Sequence, residues 1–164
     1  MPERTVEVGR IESRLQALGI TLPPPLILPS KNRTAAVRID DMLYVSGHGA
    51  QLLDDPSLPL RGKVGRELTE EQAYAVARAV AIKMLATVKA HAQDLDRVRR
   101  VVKIVGLVNA PPEFERPNMV INGASDLFFE VFGEQIGCHA RSTMCVAGLV
   151  GNQPVEIEGI FHIA

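Results

Sequence analysis

The chain has no tryptophan and few aromatic residues of any kind, 4% of 164. That leaves little of the stacking surface on which proteins hold single-stranded nucleic acid. Neither sign of charge is in excess: the formal net charge is −1, which gives no general attraction to a phosphate backbone. Cysteine is scarce too. Cys138 and Cys145 stand seven positions apart, and no C-x-x-C pair or cysteine–histidine cluster suggests a metal. They read as reduced thiols rather than a disulfide. No apolar run reaches membrane-spanning length, and Met1-Pro2-Glu3-Arg4 lacks the apolar core of a signal peptide. The expectation is a cytoplasmic protein with no membrane or nucleic-acid partner.

What is present is ordinary for a soluble domain: 46% hydrophobic and 23% charged residues. A chain of this length buries roughly two-thirds of its unfolded surface. Val6, Val8, Ile11, Leu15 and Leu18 fall near helical spacing over residues 4–19, with Gly19 as C-cap. Thr21-Leu22-Pro23-Pro24-Pro25-Leu26 follows as an extended connector. Residues 1–25 are therefore expected to form an appended helix and linker, and residues 26–164 the main domain.

In that domain Ala35–Ile39 and Met42–Ser46 read as strands turned at Asp40-Asp41. Residues 52–67 read as loop, and Thr69-Glu70-Glu71-Gln72 as a capping box opening a long helix over 73–92. The β-branched run Val101–Val108 suits a central strand. Residues 117–132 form a second main helix with Pro117 in its first turn, and Ala140–Leu149 and Val155–Ile163 are the last strands. The order β β α β α β β predicts an α+β domain with two main helices on one face of a mixed sheet. The strand after Ala140 is substantially apolar on both faces, which predicts an oligomer burying the uncovered face.

Within that strand stands Arg141. An unpaired guanidinium in an apolar strand costs several kcal/mol if buried, so Arg141 either points to solvent or waits for an anion. The next strand carries Glu156 and Glu158 on one face. If the two strands form a hairpin, Arg141 lies opposite about Phe161–Ile163 and Glu156 opposite about Ala147–Gly148. The separation is then roughly 20 Å, too far to share a site within one chain. Cooperation would need a subunit boundary. There, Arg141 offers a fork matched to a carboxylate, and Glu156 a group able to orient or deprotonate water. An interface ion pair is the equal alternative.

Arg141-Ser142 followed by Val155-Glu156-Ile157-Glu158 resembles the signature of the Rid family, the YjgF-like proteins also called L-PSP endoribonuclease-like. Val45-Ser46-Gly47-His48 resembles that family's strand ending in Ser-Gly, and Asn122, six before Phe128, its helix-borne asparagine. The resemblance implies a chorismate-mutase-like fold and a homotrimer with clefts between subunits. It further implies hydrolysis of 2-imino or enamino acids to 2-oxo acids and ammonia, with no cofactor and no metal. By the same resemblance Arg141 is the carboxylate clamp and Glu156 the water-handling group. Ser46, Gly47, Asn122 and Thr143 are the substrate-binding residues. Departures are visible: Arg33 falls near the family tyrosine, Thr143 takes a position often held by cysteine, and Leu149-Val150 replaces Leu-Pro. A non-catalytic trimer binding small carboxylates, or acting as a chaperone-like partner, is the alternative, with ribonuclease action behind both.

Among the histidines, His48 is either a cleft residue or a loop residue, and His139 titrates near an anion or is structural. His91 suits a helix C-terminus, and His162 is expected opposite Arg141 at an interface.

Overall fold

Thr69 opens the longest helix by accepting the Gln72 amide on its hydroxyl, while the Gln72 side chain accepts the Thr69 amide proton. This is the reciprocal cap expected from the sequence. The computed structural model describes residues 9–164. In it α1 spans Arg10–Ala17, β1 Ala36–Ile39, β2 Met42–Gly49, α2 Glu70–Ala92 and β3 Val98–Asn109. They are followed by α3 (Pro117–Phe132), the one-turn α4 (Glu134–Gly137), β4 (Ala140–Val146) and β5 (Val155–Ile163). The β β α β α β β order holds. The helix expected over 4–19 is observed as α1, and its first part lies outside the described residues.

β1 and β2 form the expected hairpin, with Asp40 at φ 51°, a conformation that aspartate tolerates in tight turns. The sheet order is β1-β2-β5-β3-β4, with β4 parallel to β3 and the other neighbours antiparallel. This overturns the expected hairpin of the last two strands. β5 pairs with β2 and β3, so β3 separates it from β4. The physical reason lies in β3: its β-branched run offers hydrogen bonds on both edges, and β5 and β4 each take one.

α2 and α3 cover one face. Val76, Val80, Met84, Val120, Ile121, Leu127 and Phe128 are buried there against Leu43, Ile104, Ile157 and Phe161. From α1, Ile11 and Leu15 are buried in the same core. The opposite face carries Val37, Tyr44, Val105, Ile160 and Met144, and among the described residues no element covers it. Ile39 there is 58% exposed and Met144 46%. No described helix is long and apolar enough to cross a membrane.

Candidate functional site

The register decides where the two charged groups point. Arg141 lies opposite Ile104 and Glu156 opposite Leu107, three residues along β3. An odd offset in a strand reverses the face. Arg141 therefore projects on the helix-covered side at the β4 edge, and Glu156 on the uncovered side. Two strand spacings and three residues put their Cα atoms roughly 14 Å apart with the sheet between them. The expected opposition of Arg141 and His162 is likewise corrected, because His162 lies opposite Met42 and Arg100.

On the helix side, Arg141 is half-buried and donates from Nη1 to Asn122 Oδ1 at 2.8 Å and to Ser125 Oγ at 2.9 Å. Asn122 and Ser125 sit one turn apart on α3, a spacing that faces both toward β4. Ser125 also meets His139 Nε2 at 3.0 Å, and His139 Nδ1 donates to the Gly137 carbonyl at 2.7 Å. Thr143 points the same way, opposite Gly106. An open cleft of about 380 Å³ is lined by Ser125, Asp126, Phe129, Cys138, His139 and Arg141. Burial, reinforced by the cations Arg141 and Arg100, holds the His139 ring below its ordinary pKa, against the pull of the Gly137 carbonyl.

On the other side, Glu156 Oε2 accepts from Gln153 Nε2 at 2.8 Å. Gln153 is fully buried, and its Oε1 accepts the Gln51 amide at 3.2 Å. Ser46 and Gly47 form a bulge in β2, between Val45 opposite Gly159 and His48 opposite Ile157. A Cβ on Gly47 would overlap Glu156 Oε1, so only glycine lets the carboxylate lie against this backbone. Ser46 Oγ donates to the Thr34 carbonyl at 2.7 Å.

The chain thus brings Arg141 together with Asn122, and Glu156 together with Gly47. It does not bring the two groups together. Ser125 and Gln153 were missed from sequence. The three-residue spacing from Asn122 was a readable signal for Ser125; nothing local marked Gln153, whose burial comes from tertiary packing. Its loop is held by Asn109, which donates to Asn152 Oδ1 and the Gln153 carbonyl and accepts from Lys63 Nζ. Among the described residues no group of three His, Cys, Asp or Glu side chains is placed to hold a metal ion.

His48 belongs to neither half. The bulge turns it under α2, fully buried, where Nδ1 donates to the Ser46 carbonyl and Nε2 accepts from Thr87 Oγ1 at 2.8 Å. Burial lowers its pKa below the ordinary 6.5, with the Ser46 carbonyl opposing and Lys83 assisting. Below that pH the unfolded chain binds the proton more readily than the folded one, so stability rises with pH. The contribution is complete above 6.5 and is lost as pH falls through the lowered value. Melting temperature is expected to drop from about pH 6.5 toward 5, and His48→Gln to flatten that slope. Parallel melting curves for the two proteins across this window would exclude His48 as its source. Cys145 donates to the Phe114 carbonyl, and burial raises its thiol pKa, away from nucleophilic use.

A model of the family described as "YjgF/chorismate mutase-like, putative endoribonuclease" matches residues 12–153. Protein TCP17 of Trypanosoma cruzi is 39% identical over 158 residues, which cover 96% of this chain and 97% of that protein. Among solved structures, the Agrobacterium tumefaciens protein Atu1372, of unknown function, is 39% identical with a TM-score of 0.84, covering 94% of this chain and 92% of that one. A "putative endoribonuclease" of Shewanella oneidensis is 24% identical with a TM-score of 0.86, covering 94% and 100%, a likeness of fold alone.

Proposed function

The chain belongs to the YjgF/chorismate mutase-like family, and on that premise we propose that it hydrolyses 2-imino or enamino acids in clefts between the subunits of a homotrimer. The observation that carries this reading is the state of Arg141. Both Nη1 hydrogens are spent on Asn122 and Ser125, which leaves the Nε/Nη2 edge as the fork for a carboxylate. A substrate held there by its carboxylate needs a water-handling group, and Glu156 of the same chain lies behind the sheet. A neighbouring subunit supplies Glu156 instead, and the uncovered apolar face supplies the contact that brings it.

In the reaction the imine enters protonated on nitrogen; the oxygen of water bonds to C2 while Glu156 takes one water proton, and the C=N pair returns to nitrogen to give a neutral carbinolamine. Glu156 returns the proton to that amine, and the C–N bond breaks as the hydroxyl oxygen forms the carbonyl. The hydroxyl proton passes through Glu156 to the departing ammonia, which leaves as ammonium beside the 2-oxo acid. Gln153 holds the carboxylate by one oxygen, leaving Oε1 for the water. No cofactor enters.

A second reading, binding of a small carboxylate without turnover, is favoured by Arg33 standing near the family tyrosine. Its Nε donates to Ser30 on an exposed loop, so the aromatic hydroxyl has no direct substitute there. The two readings separate on one assay. With 2-iminobutanoate generated in situ from threonine, the protein is expected to speed the appearance of 2-oxobutanoate and ammonia. Rates equal to buffer, alongside saturable binding of 2-oxobutanoate, would replace hydrolysis with binding.

A further inference from the structure

We propose that Ser125 and His139 are positioning residues for Arg141, a one-directional hydrogen-bond chain that turns the guanidinium edge toward the substrate carboxylate. This rests on the reading of Arg141 as the carboxylate-binding group.

The direction of the chain follows from what each atom can do. The Gly137 carbonyl only accepts, so the His139 proton sits on Nδ1. Nε2 then carries a lone pair and takes the Ser125 hydroxyl proton. With its proton committed, the Ser125 oxygen turns a lone pair to Arg141 Nη1. The second Nη1 hydrogen goes to Asn122 Oδ1, an acceptor by nature. A planar guanidinium pinned by both hydrogens of one nitrogen has no freedom about its Cζ–Nη1 axis. Its remaining donors, Nε and Nη2, are not used by these contacts.

The imidazole is itself fixed. It packs edge-to-face with the Phe128 ring, with centroids 5.8 Å apart and planes at 86°. Arg141 from β4 and Arg100 from β3 face it with positive charge, and Asp126 of α3 lines the same cleft. Burial, and after it the neighbouring cations, disfavour the doubly protonated ring, which would aim a second donor at Ser125 and compete with Arg141. A serine alone would leave its hydroxyl free to rotate. The histidine removes that choice.

Two measurements on the full chain test this. In the ligand-free protein, separate Arg141 Nη proton resonances at low temperature are expected for wild type and for His139→Gln, whose amide oxygen reaches the Nε2 position. They are expected to merge in Ser125→Ala and His139→Leu. In calorimetric titration with 2-oxobutanoate, those two variants are expected to bind about tenfold more weakly, the worth of one hydrogen bond to a charged group. Their double mutant should bind within about threefold of either single, because they act as one unit. His139→Gln should bind like wild type. Wild-type binding by His139→Leu overturns the proposal alone, as does equal loss in His139→Gln, which would mark a packing role against Phe128. No binding by wild type, or binding unchanged in Arg141→Ala, overturns the carboxylate reading and this proposal with it.

Discussion

Protein carrying Arg141→Ala and protein carrying Glu156→Gln are each expected to lose the proposed imine hydrolysis by about 10²-fold or more, the usual scale for removing a general base or substrate clamp. Mixed and allowed to exchange subunits, they are expected to regain about a quarter of wild-type activity. If, as proposed, each cleft of a closed ring takes Arg141 from one chain and Glu156 from the next, random assembly leaves about one cleft in four with both groups intact. The expectation comes from the sheet register. Arg141 opposite Ile104 and Glu156 opposite Leu107 differ by three residues, which sets them on opposite faces. A side chain cannot pass through a packed sheet, so no rotamer of one chain unites them. Native mass spectrometry would verify that mixed assemblies form. Mixed assemblies with no more activity than the two parents would sink the shared cleft.

Gly123→Leu is expected to cost roughly 3 kcal/mol or more and to lower the melting temperature by roughly 10 °C. Gly123 lies in the middle of α3, where glycine is intrinsically unfavourable compared with alanine. It is tolerated because α2 crosses there without clearance. A Cβ would overlap the Tyr74 carbonyl oxygen and come within 3.1 Å of the Arg78 amide nitrogen, both rigid backbone. The larger residue has to push the helices apart, away from the single core that both cover. Gly123 also sits between Asn122 and Ser125, so a shifted α3 carries both Arg141 anchors with it. Gly148→Ala is the control: nothing lies within 4 Å of its Cβ position, and its melting temperature should match wild type. Thermal melts of the three proteins decide the point. An unchanged Gly123→Leu would mean that the helix contact is far looser than the structure has it.

Much of the architecture was legible in the residues because it rests on local physics. The Thr69–Gln72 cap, the helical spacing over 117–132, the Asp40-Asp41 turn and the β-branched run of β3 each declare themselves within one element. That Arg141 needs either solvent or a partner was legible too, since a cation in an apolar strand is costly alone; the structure leaves it half-buried on Asn122 and Ser125. Strand order was not legible. Pairing joins residues far apart in the chain, and neighbours in sequence, β4 and β5, were separated by β3. That one difference moved His162 away from Arg141 and replaced a distance along a ladder with a reversal of face.

The sequence by itself determined that this is an α+β chain with an arginine in a largely apolar strand and a glutamate in the following one. That the two do not meet within one chain is decided by the tertiary structure, because the expected hairpin does not form and the register on β3 sets them on opposite faces. Only the tertiary structure decided which groups attend each of them. Ser125 and His139 gather at Arg141, while Gln153 and the bare backbone of Gly47 receive Glu156. The physical reason is that charge and period are properties of a residue and its near neighbours. A hydrogen-bond partner is chosen by the packing of the whole sheet.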